Sequence, residues 1–150
     1  MPQSLAQLYT HLIFSTKNRE PMIQSADCQD VQAYLGGALR SLECPSIVVG
    51  VVRDHVHLLY RHSRNLAIAK LVEQVKVQSS KWIKERGIAY RGFHWQSGYG
   101  AFSVSASKLS VVEAYVLRQE EHHRTVSFQE EYRRFLDEYG VEYDERYVWD

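Results

Sequence analysis

The chain has 150 residues and zero formal net charge, and 45% of its residues are hydrophobic, 12% aromatic and 24% charged. These values describe one globular domain over residues 1–150 and exclude a disordered, collagenous or coiled-coil protein. Apolar runs such as residues 47–52 are far too short to cross a membrane, no secretion signal is legible, and Cys28 and Cys44 lack metal-type spacing. A cytoplasmic protein with reduced thiols and no membrane partner is expected.

The zero net charge hides an asymmetry. Residues 1–118 carry 14 Lys and Arg against 8 Asp and Glu, whereas residues 119–150 carry 4 against 10. A basic body with an acidic end is compatible with a phosphate-binding surface, and also with two ordinary solvated faces.

In chain order, residues 8–15 are β-branched and aromatic and predict a strand. Residues 25–42 predict a helix: Ser25 can cap its start, Val31, Leu35, Leu39 and Leu42 recur at helical spacing, and Pro45 stops it. Residues 46–53 and 55–62 predict two strands joined near Arg53 and Asp54. Residues 66–86 predict a long helix with Asn65 as cap, a stripe of Leu71, Val75 and Trp82, and Gly87 as terminator. A loop over 88–98 leads to a last strand at 99–104. Ser110 and Glu113 match a capping box for a helix running to about His123. A final helix spans roughly 127–139 and is closed by Gly140.

The first six elements give the order β-α-β-β-α-β. This is a ferredoxin-like α+β fold, with two helices on one face of an antiparallel sheet. The other face is left for a site, a partner or the C-terminal helices. Fold alone does not fix function.

The segment His55-Val56-His57-Leu58-Leu59 carries the strongest chemical signal. Strand side chains alternate, so His55, His57 and Leu59 share one face while Val56, Leu58 and Tyr60 anchor the other beneath the helices. Two residues along a strand span roughly 7 Å, which lets both imidazoles reach one metal ion. Taken alone the pair is a weak motif that reads more readily as two solvated histidines, and a site requires a third group. Tyr115 and Gln119 lie one helical turn apart on one face. A tyrosine can attack phosphorus, although its usual pKa near 10 makes it a weak nucleophile at neutral pH. A metal that polarises the phosphate compensates, and Gln119 can give that metal an amide oxygen. With ten tyrosines in the chain, Tyr115 alone is also readable as a half-buried aromatic. Glu120, Glu121, His122 and His123 are a weaker second metal cluster and read better as an exposed helix end.

Asp54-His55-Val56-His57-Leu58-Leu59, followed downstream by Tyr115-Val116-Leu117-Arg118-Gln119, resembles the single-tyrosine HUH (His-hydrophobic-His) transposases of small bacterial insertion sequences, the IS200-like family. Residues 9–17 are similar to the first strand of that family, and residues 93–100 to the stretch before its last strand. The resemblance covers about residues 5–125, leaving 126–150 as a C-terminal extension that the shared mechanism does not require. It implies cleavage and rejoining of single-stranded DNA at hairpin-flanked sites through a 5′-phosphotyrosine. It implies a divalent ion, Mg²⁺ or Mn²⁺, and a homodimer whose subunits can share active sites. Carried onto this chain, Tyr115 matches the nucleophile, and His55, His57 and Gln119 match the metal ligands. His11 lies on the first strand without an assigned role.

Lys70, Lys76, Lys81, Lys84, Arg86 and Arg91 cluster on or after the second helix, where they can contact DNA phosphates or simply solvate the helix. Trp95 and Tyr99 can stack on unpaired bases, but core or interface positions suit them better. Small residues at 98–100 and 103–107 suggest a tyrosine helix able to act in cis or in trans. Three other readings stay open: a non-mobile relative that cuts chromosomal hairpins, a non-catalytic nucleic-acid-binding module, and a hydrolase in which Tyr115 is incidental.

Overall fold

The computed structural model describes residues 2–118, 127–138 and 140–150. Four strands, β1 (Leu8–Ser15), β2 (Ser46–Val51), β3 (His55–His62) and β4 (Gly100–Val104), form one sheet in the order β2-β3-β1-β4. All three pairings are antiparallel. With α1 (Cys28–Ser41) between β1 and β2 and α2 (Ile68–Lys84) between β3 and β4, this is the expected ferredoxin-like α+β fold.

The β alternation divides the sheet into two faces. Leu12, Phe14, Val56, Leu58 and Tyr60 point to one side and pack against Val31, Leu35 and Leu39 of α1 and Leu71, Val72, Val75 and Ile83 of α2. The other side is not left open. Here α3 (Leu109–Leu117) packs Val116 against Val48, Leu59 and Val104. Alongside it α4 (Phe128–Glu138) packs Phe128, Tyr132 and Leu136 against Ile13 and Phe102. The C-terminal extension is therefore a structural layer of the domain. Its last residues, 144–150, continue across this layer, where Trp149 packs on Tyr132 and the Asp150 carbonyl accepts from the Gly98 amide at 2.7 Å.

The helix starts differ from the sequence expectation. α1 begins at Cys28, after a 3₁₀ turn at Ser25–Asp27, and Ser25 makes no cap. Asp27, at the N-cap position, does not cap either, because its carboxylate is engaged by Tyr90 and Arg86. α2 begins at Ile68 behind Ala67, so Asn65 lies too early to cap it. α3 begins at Leu109 behind a 3₁₀ turn, so Ser110 sits inside the first turn and the capping box with Glu113 does not form. In each case a tight turn feeds the helix and displaces the local signal. β2 ends at Val51, two residues short of the expected 53, because Val52 turns to donate its amide to the His55 carbonyl. Within the expected loop over 88–98 lie a 3₁₀ turn at Ile88–Tyr90 and a bridge from Trp95 to Thr16. Gly140 closes α4 as expected: its φ is +66°, and Val141 donates back to the Leu136 carbonyl at 2.8 Å. The predicted run of the tyrosine helix to His123 lies outside the described residues.

Candidate active site

β3 runs between β1 and β2, so His55 and His57 stand in the middle of the sheet rather than at an edge. They face the layer made by α3 and α4. His11 of β1 shares that face, one diagonal step from His57 in the antiparallel register, since Leu59 lies opposite His11 and Ile13 opposite His57. All three are sealed from solvent, with His55 at 1% exposure and His57 and His11 at 0%.

α4 supplies the seal. Phe128, Glu131, Tyr132 and Phe135 occupy i, i+3, i+4 and i+7 and form one helical face turned to the sheet. Phe128 stacks on His55 with ring centroids 4.4 Å apart, and Phe135 meets His11 edge-on at 5.2 Å. The acid in that apolar face, Glu131, is 2% exposed. Its Oε1 lies 2.8 Å from His57 Nε2. His55, His57 and Glu131 each offer a ligand atom, and these atoms all lie within 4.8 Å of one another. That span is close to twice a metal–nitrogen or metal–oxygen distance of ~2.1 Å. Two imidazoles and a carboxylate, buried and convergent, fit a divalent transition ion such as Mn²⁺.

The outward nitrogens of the two histidines are also held. His55 Nδ1 donates to Asp54 Oδ1 at 2.7 Å, which leaves Nε2 as the nitrogen a metal would use. His57 Nδ1 lies 2.8 Å from His11 Nε2. Burial, helped by the neighbouring His57, holds His11 well below the usual imidazole pKa, so its ring is neutral at physiological pH.

Tyr115 of α3 completes the cluster. Its ring stands edge-on to His57, with centroids 5.8 Å apart, and edge-on to Phe135 at 5.5 Å. Burial first, then the charge of Glu131 and a hydrogen bond to its carboxylate, push the phenol far above its ordinary pKa, while Arg134 opposes them. In this arrangement the phenol keeps its proton. Beside it opens a recess of about 350 Å³ lined by Lys108, Val111, Val112, Tyr115, Glu131, Arg134, Phe135 and Glu138. The phenol and carboxylate thus border a space whose lining includes two cationic side chains.

The structure therefore brings together His55, His57 and Tyr115, as the sequence suggested. Gln119 lies outside the described residues, as do Glu120, Glu121, His122 and His123. Sequence reasoning missed Glu131, Asp54 and His11. Glu131 was findable as the one acid inside the aromatic stripe of the last helix. Asp54 directly precedes His55. His11 could be identified only after the β1–β3 register was known.

The proposed DNA-contacting residues lie apart from this cluster, because α2 packs on the opposite face of the sheet. Lys76 is turned inward and donates to the carbonyls of Gln96, Ser97 and Gly98 at 2.7, 3.3 and 2.6 Å. Arg86 pairs with Asp27 and Asp30, and Lys70 lies 3.7 Å from Glu73. Lys81 and Lys84 border an open groove of about 580 Å³, and Arg91 is exposed. Trp95 belongs to the core, with its indole donating to Ser79 Oγ at 3.0 Å, whereas Tyr99 is partly exposed. Cys44 is a buried thiol outside any disulfide among the described residues. Among the described residues, no helix is long and apolar enough to cross a membrane.

Comparison with known proteins bears on the fold and the family. A structure from Deinococcus radiodurans R1, provisionally described as a transposase, superposes with a TM-score of 0.61 at 20% identity, over 79% of this chain and 98% of the other. A REP-associated tyrosine transposase solved bound to a REP hairpin gives a TM-score of 0.61 at 12% identity, over 84% of this chain and 74% of the other. At these identities the likeness concerns the fold. No curated protein sequence matches the chain. A family model described as "Transposase IS200 like" matches residues 4–119, a span that contains His55 and His57 of β3, the tyrosine of α3 and Gln119. The chain belongs to the IS200-like transposase family, and its function is of the transposase type.

Proposed function

We propose that this protein cuts and rejoins single-stranded DNA at hairpin-flanked sites, with Tyr115 as nucleophile and a divalent ion, Mg²⁺ or Mn²⁺, held by His55, His57 and Glu131. The observation that carries this reading is the meeting of Tyr115, Glu131 and His57 at one buried point beside an open recess. A cation bound there supplies charge neutralisation at the target phosphate. Gln119, four residues after Tyr115 in the sequence, is retained as the further ligand that the family resemblance implies.

The protein's own groups divide the remaining work. The Tyr115 oxygen forms a bond to phosphorus, the P–O3′ bond breaks, and the departing 3′ oxygen takes a proton to become a hydroxyl. The phosphodiester energy is kept in the 5′-phosphotyrosine, so a 3′-hydroxyl of another strand can reverse the step. Glu131 already accepts the hydrogen bond of the phenol and so marks where its proton goes. Lys108 and Arg134, in the lining of the recess, are placed to hold backbone phosphates. Lys70, Lys81, Lys84 and Arg91, across the sheet, would serve a hairpin stem wrapped around the domain, with binding that weakens steeply in salt.

Tyr115 lies beside His57 of its own chain, which favours cleavage in cis, with the homodimer implied by the family carrying two such sites. Mixing Tyr115→Phe with His57→Ala subunits should then restore no cleavage; restored cleavage would indicate sharing between subunits. The main test is a labelled hairpin oligonucleotide with single-stranded flanks, incubated with Mn²⁺ or Mg²⁺. A covalent protein–DNA adduct that disappears in Tyr115→Phe is expected. Turnover without an adduct would mean a hydrolase, and binding without cutting would mean a nucleic-acid-binding module.

A further inference from the structure

His55 and His57 are alternate residues of one strand, and each must present one ring nitrogen to the same point. A histidine ring can rotate and can carry its proton on either nitrogen, so a ligand histidine requires a partner on its other nitrogen. For His55 that partner is the Asp54 carboxylate, 2.7 Å from Nδ1. For His57 the corresponding contact comes from another strand: His11 Nε2 lies 2.8 Å from His57 Nδ1, with the two ring planes 26° apart.

We infer that His11 is a positioning residue that fixes the ring orientation and tautomer of His57, doing for His57 what Asp54 does for His55. The inference rests on the metal-site reading of His55, His57 and Glu131.

Three observations support it beyond the single distance. First, His11 is fully buried in the strand next to His57, edge-on against Phe135, so its ring is fixed by packing. A fixed ring is what a positioning group requires. Second, a 2.8 Å nitrogen–nitrogen contact holds one proton, so the protonation of His11 Nε2 and that of His57 Nδ1 are mutually exclusive. The tautomer of one ring sets the tautomer of the other. Third, among the described residues His11 Nδ1 is buried with no hydrogen-bond partner. A buried imidazole with one nitrogen unsatisfied costs stability. A Leu or Phe would suit an ordinary core position better, and the bond to His57 is the contact that a hydrocarbon could not make.

The test compares wild type with His11→Phe, which keeps an aromatic ring of similar size and removes the bond, and with His11→Gln, which can restore it. Nitrogen NMR of the metal-free protein reads the His57 imidazole directly. His11→Phe should change the His57 Nδ1 signal and mix its tautomers, and His11→Gln should move it back. Mn²⁺ affinity, measured by electron paramagnetic resonance of the free ion without DNA, should fall about 10- to 100-fold in His11→Phe and recover in part in His11→Gln. Asp54→Ala should produce a loss of the same size through His55. An unchanged His57 signal, or wild-type Mn²⁺ affinity in folded His11→Phe, overturns the inference while leaving the metal site intact. If wild type itself binds no Mn²⁺, both the metal site and this role for His11 fail.

Discussion

The two faces of the sheet are built from the same strands and are buried to a similar depth, yet they follow opposite rules. The face under α1 and α2 is lined by hydrocarbon and aromatic side chains such as Leu12, Phe14, Leu58 and Val75. The face under α3 and α4 buries His11, His55, His57 and Glu131. The first gains free energy from each side chain removed from water. The second incurs a desolvation cost for every polar group and recovers it through mutual contacts. A fold that needed only stability would make both faces alike. The difference is what the proposed site on the second face would require, and it implies that neighbouring residues of β3 should respond to substitution in different ways.

Tyr115→Phe should have the largest functional effect, abolishing the covalent DNA adduct while the melting temperature stays within a few degrees of wild type. An adduct surviving in this variant would remove the chemistry from the polar face. Glu131→Gln keeps the shape and removes the charge. Mn²⁺ affinity should fall by at least ~10-fold, and the Tyr115 phenol should ionise more readily, read by isothermal titration and tyrosinate absorbance. Leu58→Ala, next in sequence to His57 but on the apolar face, should cost about 2–5 kcal/mol in denaturant unfolding. Its adduct yield should remain close to wild type at low temperature.

Gly100→Ala tests the contact between the sheet and α4. A β-carbon at Gly100 would stand 2.6 Å from Tyr132 Cε2 and 2.8 Å from its hydroxyl. Tyr132 neighbours Glu131, so pushing it away should loosen α4 at a cost of ~1–3 kcal/mol, seen as faster amide exchange over 128–138 than over α1. The smallest effect is in alkali. Burial lifts Tyr132 to about 12 and Tyr115 higher still. Above the unfolded tyrosine pKa near 10, the unfolded chain loses these protons first, so stability should decline as pH rises further. Tyr115→Phe should flatten part of that decline.

Much of this could be read from local pattern. The period-2 strands, the helical stripes and the His-Val-His alternation are properties of neighbouring residues, and the chain folds to respect them. The cap predictions at Ser25, Asn65 and Ser110 failed for a reason that is also physical. A cap depends on where the turn before the helix ends, and Asp27 shows that a side chain able to cap can be claimed by partners as distant as Arg86 and Tyr90. The six cations near α2 looked like one patch in sequence, yet Lys76 and Arg86 are engaged with the protein's own carbonyls and carboxylates.

The sequence by itself determined the fold class, the side of β3 on which the histidines point and the identity of the candidate nucleophile, because these follow from backbone periodicity and side-chain chemistry over short spans. Only the tertiary structure decided that the last helix closes the site, that Glu131 meets His57 and Tyr115, and that His11 lies against His57. Those contacts join residues tens of positions apart, and no local spacing encodes the strand register and helix docking that bring them within hydrogen-bonding distance.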